Sequence, residues 1–220
     1  MIRVFTLVAV YCLLTTAADS IVLSHSPNHS LKPPITDVRS KFLLTGQCDV
    51  YTDRIRIGGD GPDSRGAVWA RVPTAYTDWQ LTANVKIGTD NRQSSGDGIG
   101  IWYAKNGGQL GDAYGGPLRW TGLAVFIDTT STPQRVMGVL NDGTKEWDAR
   151  EKNFYFGGCS GQLTNRNVHI RLTYWNRILK VELDGESPDG SKMTTCVERQ
   201  NVDLPTGYHF GMTASTSVQD

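Results

Sequence analysis

The sequence predicts an all-β fold of the sandwich or jelly-roll kind. Short runs of alternating apolar and polar residues recur along the chain, and clusters of Gly, Pro, Asn and Asp separate them. No segment has the sustained 3.6-residue periodicity of an amphipathic helix. The 24 glycines fit the many tight turns of such a fold. At 220 residues and 39% hydrophobic composition, the chain is long enough for one large domain.

Residues 1–18 predict a secretory signal peptide. A single cation near the start precedes an apolar stretch over 4–14, and small residues at Thr16 and Ala18 suit signal peptidase. A membrane anchor is the alternative, but a helix needs ~20 apolar residues to cross a bilayer. We therefore expect cleavage near Ala18, a domain over 19–220, and no transmembrane helix in this chain.

A turn-rich segment, SPNHSLKPP, follows the signal and contains the sequon Asn28, His29, Ser30. Asn28 is therefore a candidate for N-glycosylation if it is exposed in the secretory lumen.

Nine runs then predict strands, since their alternation would pack one face against a core. In chain order they cover 53–59, 66–72, 79–88, 98–104, 122–128, 135–143, 168–175, 178–184 and 208–214. Trp69, Trp79 and Trp102 lie inside such runs and are predicted to fill the core, because a buried indole contributes a large apolar area. Trp120 and Trp147 lie nearer strand ends, where an indole either lines a site or covers a sheet edge.

Two aspartates at the ends of predicted strands form the candidate site. Asp97 precedes the run from 98 to 104, and Asp128 ends the run from 122 to 128. Gly98, beside Asp97, permits a turn that a branched residue would resist and leaves room for a flat ligand. This layout is typical of a sugar-binding site on a β-sandwich.

Charge and cysteine content restrict the function further. Lys plus Arg and Asp plus Glu both number 22, so the chain has no net electrostatic attraction for nucleic acid, and we expect no nucleic-acid partner. Cys12 leaves with the signal, and Cys48, Cys159 and Cys196 remain in an oxidising compartment. A bridge between Cys159 and Cys196 is favoured, at about 4 kcal/mol on the loop-entropy model. A free buried thiol suits Cys48 better.

An enzyme hypothesis rests on Glu146, Asp148 and Glu151, which form an E-x-D-x-x-E pattern like that of retaining jelly-roll glycoside hydrolases. In a strand, Glu146 and Asp148 would share one face, and a bulge would bring Glu151 to it. However, flanking cations indicate a solvated loop, and short motifs match often by chance. We therefore expect no enzyme. The scattered histidines give no catalytic triad, and neither zinc spacing nor a phosphate loop occurs.

The chain after the signal resembles the L-type, or legume-like, lectin domains of early-secretory-pathway cargo receptors, which include the mannose lectin of the intermediate compartment and vesicular integral membrane relatives. The segments that carry the resemblance are HSLKPP (29–34), IRI (55–57), SRGAVWARVP (64–73), Trp79, GDGIGIWYAK (96–105), GLAVFID (122–128), LNDG (140–143), GGC (157–159), RNVHIRLTYW (166–175) and LPTGYHFGMTAST (204–216).

The resemblance implies a concanavalin-like sandwich of two antiparallel sheets that binds high-mannose glycans in transport between endoplasmic reticulum and Golgi. It also implies a disulfide between Cys159 and Cys196. In the family, a stalk and one transmembrane helix follow the domain, so the product would be membrane-anchored if it extends beyond Asp220. Since the sequence stops before the family's final strand, we expect that strand to be missing and one sheet edge to be unpaired.

The resemblance assigns sugar binding to Asp97 and Gly98, and calcium ligation to Asp128. The family's other calcium and sugar ligands are replaced. The replacing residues are Thr130, Thr132 and Pro133 in a shortened loop, Ala149, Lys152, Ser217 and Val218. Asp142, Glu146 and Asp148 are possible substitutes. Calcium needs 6–8 oxygen ligands with several negative charges. We therefore expect a weakened or absent calcium site.

Two hypotheses about function follow, beside the hydrolase. The favoured one is a lectin domain in the secretory lumen, centred on Asp97 and Asp128, that recognises high-mannose N-linked glycans or the glycoprotein cargo bearing them. The alternative is a degenerate lectin scaffold that acts through protein contacts. The sequence leaves homo-oligomerisation open.

Overall fold

Two large antiparallel sheets face each other in the computed structural model, which describes residues 7–15, 21–59, 61–88, 96–151, 154–184 and 192–216. Within these ranges, helical structure is limited to a 3-10 turn at Pro27–His29, a short α-helix, α1, at Val38–Lys41, and 3-10 geometry at Phe154. All nine predicted runs lie in or overlap strands. The predicted two-sheet, all-β sandwich is therefore confirmed.

The first sheet, which we call the back sheet, has six strands among the described residues. They are β1 (Leu7–Thr15), β2 (Ile21–His25), β7 (Trp79–Ile87), β12 (Arg166–Trp175), β13 (Ile178–Asp184) and β14 (Met193–Arg199). Their spatial order is β14-β13-β12-β7-β1-β2, so β14 and β2 form the edges.

The second sheet, which we call the front sheet, has seven strands in the described part of the chain. They are β3 (Phe42–Gly46), β6 (Arg65–Ala70), β8 (Gly96–Ala104), β9 (Thr121–Asp128), β10 (Arg135–Asp142), β11 (Tyr155–Ser160) and β15 (His209–Thr216). Their order is β11-β10-β9-β8-β15-β6-β3, and a separate hairpin pairs β4 (Cys48–Val50) with β5 (Ile55–Ile57).

Strand alternation divides the apolar side chains between two clusters. Along β8, Ile101 and Tyr103 join the main core, whereas Trp102 belongs to a second, aromatic cluster. Trp69 also belongs to the aromatic cluster, and Trp79 lies in the main core. All three of these tryptophans are buried, as predicted. The front sheet is therefore buried on both faces around β8 and β9, which gives the strand ends a rigid support.

A disulfide joins the edges of the two sheets. Cys159 of β11 and Cys196 of β14 are bonded, with their Cα atoms 5.1 Å apart. Because β11 ends the front sheet and β14 ends the back sheet, the bond ties the two layers together along one side. Cys48 is a free thiol, as predicted, and burial raises its pKa to about 11.

The apolar segment of the predicted signal forms β1 in the back sheet, and the predicted absence of the family's final strand stays a prediction. β1 pairs with β7 on one side and β2 on the other, and Ala9 and Val10 are buried. Uninterrupted apolar sequence fits a strand between two neighbours as well as it fits a signal peptide. Cleavage near Ala18 remains a prediction.

Candidate functional site

The two predicted site aspartates meet at one end of the front sheet. Ser215 of β15 pairs with Gly98 of β8, Gly98 pairs with Asp128 of β9, and Asp128 pairs with Arg135 of β10. Asp97 precedes Gly98 along the chain and therefore lies next to this row. Four neighbouring strands thus place a serine, a glycine, an acid and a cation side by side, with Asp97 next to the glycine.

Asp97 is half-buried and held on two sides. Ser215 donates a hydrogen bond from its Oγ to Asp97 Oδ2 over 3.0 Å. The amide of Thr129 donates to the backbone oxygen of Asp97 over 3.2 Å, which links the two strand ends directly. A carboxylate has about four acceptor positions. The Asp97 side chain therefore has capacity to accept hydrogen bonds from a polar ligand such as a sugar hydroxyl.

Residue 98 has to be glycine for the strands to approach this closely. Its φ of +146° is one that L side chains rarely adopt. A Cβ at this position would lie 2.0 Å from the carbonyl oxygen of Ile127 and 2.9 Å from Cδ1 of Tyr114. The glycine is therefore required by the close approach of β9 and the Tyr114 ring.

Asp128 is buried and ionised. Its Oδ1 accepts hydrogen bonds from the amide and the hydroxyl of Thr130, over 2.9 and 2.7 Å. Its Oδ2 lies 3.4 Å from Nη2 of Arg135. Burial alone would raise the pKa of Asp128, but the hydrogen bonds from Thr130 and Ser131 outweigh it and lower the pKa below its usual value.

Three packed aromatic rings, those of Tyr114, Phe126 and Trp147, form one side of the candidate site. The Tyr114 ring lies 4.8 Å from that of Phe126 and 5.5 Å from that of Trp147. The backbone oxygen of Tyr114 accepts a hydrogen bond from Thr213 Oγ1 over 2.7 Å. Burial, followed by the nearby charge of Asp128, raises the pKa of Tyr114, so its phenol is neutral. Tyr114 therefore forms a fixed side of the site.

The proposed substitute calcium ligands do not gather around Asp128. Asp142 pairs with Thr121 at the far end of the β9–β10 ladder, so its suggested role is wrong. Glu146 pairs with Arg119. Within the part of the chain that the structure describes, no three His, Cys, Asp or Glu side chains converge to hold a metal ion. Lys152, Ser217 and Val218 lie outside the described residues.

The hydrolase pattern is not assembled either. Residues 146–151 form a loop, so the strand alternation that would align Glu146 with Asp148 is absent there. Asp148 accepts hydrogen bonds from Arg150, and the intervening Trp147 packs into the aromatic cluster. Glu151 lines a groove of about 470 Å³ at the opposite end of the front sheet, away from Asp97. Glu146 and Asp148 form separate ion pairs with Arg119 and Arg150, so the loop does not assemble the three acids into a catalytic pair.

Sequence reasoning missed Arg135, Ser215 and Tyr114 as members of the site. The first two could have been found by register, since Arg135 begins a predicted strand, Ser215 directly follows another, and both strands neighbour an aspartate strand. Tyr114 comes from a long loop, and no local pattern indicates where it packs.

The sequon residue Asn28 is exposed on the 3-10 turn, so the folded surface leaves room for a glycan.

Comparison with known proteins identifies the fold and the relatives. A family model described as the legume-like lectin family matches residues 23–220. Human VIP36-like protein is 31% identical over 209 residues, which cover 86% of this chain and 58% of that protein. Human vesicular integral-membrane protein VIP36 is 28% identical over 90% of this chain and 56% of its own length. The chain thus spans a little over half the length of these relatives.

A crystal structure of the exoplasmic, or lumenal, domain of VIP36 in its Ca²⁺- and mannose-bound form superposes with a TM-score of 0.80. The match covers 87% of this chain and 84% of that one at 26% identity. Both sheets therefore have counterparts in a solved lectin domain. Within the described residues, no helix is long and apolar enough to span a membrane.

Proposed function

This chain belongs to the legume-like lectin family, and from that premise we propose that it binds high-mannose N-linked glycans at Asp97 and Asp128. The family consists of lectins rather than enzymes, so the chain is not an enzyme. Binding to glycoprotein cargo would follow from recognition of the glycans that the cargo carries.

The observation that carries the proposal is the position of Asp97 at a supported strand end. Its carboxylate is fixed by Ser215, its backbone is fixed by Thr129, and the Tyr114 ring closes one side. A preorganised acceptor beside an aromatic wall suits hydroxyl-rich ligands, which need few but well-placed polar groups. Single sites of this kind gain useful strength through multivalency.

The relatives support the ligand class. VIP36 has been crystallised with mannose and with a Man3GlcNAc ligand, each together with Ca²⁺. Recognition of mannose-type glycans by this chain is an inference from that relationship and from the retention of both aspartates.

We also infer that the calcium site is weakened or absent. Asp128 supplies one carboxylate, and its oxygens are engaged by Thr130 and Arg135. Calcium prefers six to eight oxygens with several formal charges. The donor set around Asp128 therefore does not fit the ion that the family relationship implies.

The site of action that we propose is the lumen between endoplasmic reticulum and Golgi. The relative VIP36 supports a lumenal setting, since it is named a vesicular integral-membrane protein and its solved domain is described as exoplasmic or lumenal. The predicted signal at 1–18 would deliver the chain there. N-terminal sequencing of the protein secreted from cultured cells tests this point: a start at Asp19 supports it, and retention of Leu7–Thr15 in the product contradicts it.

Binding is tested most simply with a surface that carries a high-mannose glycoprotein. The wild-type domain should bind it, free mannose should compete, and enzymatic removal of the N-glycans should abolish the signal. Asp97→Asn should bind much more weakly while its circular dichroism spectrum is unchanged. Equal binding before and after glycan removal would contradict the proposal.

A degenerate scaffold that acts through protein contacts is the second candidate, favoured by the replaced family ligands at Thr130, Thr132 and Ala149. The same surface assay separates the two, because a protein contact would survive removal of the glycans.

A further inference from the structure

Arg135 forms an ion pair with Asp128 at the candidate site. It begins β10 directly opposite Asp128, the last residue of β9, and the loop from 129 to 134 connects them. The guanidinium reaches back over this loop. Its Nη2 lies 3.4 Å from Asp128 Oδ2, and its Nε donates to Ser131 Oγ over 3.1 Å. The side chain therefore contacts both the buried acid and the loop.

The Asp128 carboxylate needs a positive partner because it is buried. Its side chain is 6% exposed, whereas that of Arg135 is 54% exposed. A carboxylate taken out of water is costly unless hydrogen bonds and an opposite charge compensate it. Thr130 provides the hydrogen bonds, and Arg135 provides the charge from the solvent side.

The same contacts disfavour calcium. An entering ion would meet the guanidinium at Oδ2 and the Thr130 amide at Oδ1. It would also find too few further carboxylates, since no group of three acidic, His or Cys ligands occurs in the described ranges. Calcium would therefore have to displace Arg135 from Asp128, and it would gain too few oxygen ligands in return.

We propose that the Arg135 guanidinium takes the place of a calcium ion beside Asp128, so that a side chain rather than a metal organises the site. Arg135 is linked to Asp97, the proposed sugar ligand, through few residues. Arg135 holds Asp128 and Ser131, and the next residue after Asp128 is Thr129, whose amide holds the backbone of Asp97. The loop and the sugar-facing acid are therefore fixed without metal. Calcium-independent recognition rests on the proposed function, whereas the metal replacement itself does not.

The first test uses calcium alone. Isothermal titration of the metal-stripped wild-type protein with calcium chloride should give no saturable heat up to millimolar concentration. Its melting temperature should be the same in calcium and in EGTA. Micromolar calcium binding, or a melting temperature that rises with calcium, would overturn the proposal.

The second test uses variants. Arg135→Gln should lower the melting temperature by about 2–4 °C, because it leaves Asp128 without its cation. Arg135→Lys should recover part of the loss. Arg150→Gln is the matched control, since Arg150 forms an exposed pair with Asp148 in another loop. In an Asp128→Asn background, Arg135→Gln should not lower the melting temperature further. An Arg135→Gln variant as stable as Arg150→Gln would contradict the idea.

Neither test contains a glycan, so the two proposals can fail separately. A wild-type protein that binds no calcium and whose melting temperature depends on Arg135, yet that binds no glycan, would refute the proposed function alone. Glycan binding that requires calcium would refute the role of Arg135 alone.

Discussion

Ser215 Oγ donates a hydrogen bond to Oδ2 of Asp97 over 3.0 Å, across the ladder between β15 and β8. The contact joins the last described strand to the strand that carries the candidate sugar ligand. It fixes one oxygen of the carboxylate and leaves acceptor positions on the other.

Asp97→Asn should weaken binding to a high-mannose glycan by about 10- to 100-fold, since hydrogen bonds to a charged group contribute about 1.5–3 kcal/mol each. Ser215→Ala should have a smaller effect of the same sign, because it frees the carboxylate without removing it. Both are measured by titration with multivalent glycan. Asp203→Asn, which alters an exposed acid in the groove at the opposite end of the front sheet, is the control. Equal losses in all three variants would count against the site.

Asp128 should make the domain sensitive to acid. Its folded-state pKa lies below the ordinary value of 3.8, so its ionised form contributes stability above that value. The contribution is lost as the pH falls below 3.8 and through the folded-state pKa. Urea unfolding at a series of pH values should therefore show a steeper acid decline for the wild type than for Asp128→Asn. If the free energy of unfolding fell equally with pH in the two proteins, the ionised Asp128 carboxylate would not contribute to stability.

Gly98→Ala should destabilise the fold by about 1–3 kcal/mol, because the new Cβ would lie 2.0 Å from the Ile127 oxygen in a conformation that alanine resists. Gly161→Ala is the matched control, since a Cβ there meets nothing within 4 Å. Denaturant unfolding of the two variants gives the comparison. Similar stabilities would mean that β8 and β9 separate without cost.

Replacing both Cys159 and Cys196 by Ser should lower the free energy of unfolding by about 2–5 kcal/mol. The bond closes a loop with a sequence separation of 37 and joins the edge strands of both sheets. Cys48→Ser, which removes a free thiol, is the control in the same unfolding assay. A double variant as stable as the wild type would mean that the two layers are held by packing alone.

Most strands could be predicted because one of their faces is buried, which imposes a period of two on the sequence. β7 shows this most clearly, with buried and half-buried residues in strict alternation. β11 and β14 were missed because they are edge strands with mixed exposure, and β11 contains two glycines. β1 was assigned to a signal alone, because an apolar run fits both roles.

The site was predicted in part for a related reason. Asp97 and Asp128 end predicted neighbouring strands, so the sheet itself brings them together. Arg135 depends on the length of the loop that precedes it, because one residue more or less would turn its side chain to the other face. Tyr114 depends on a loop that has no period, and its place could be known only from the folded chain.

The most direct test of the central claim is a glycan array probed with the protein presented multivalently, once with calcium and once with EDTA. The account predicts binding to high-mannose glycans that is equal in the two conditions and much weaker in Asp97→Asn. Absence of glycan binding in both conditions would contradict the claim that this domain is a functioning lectin.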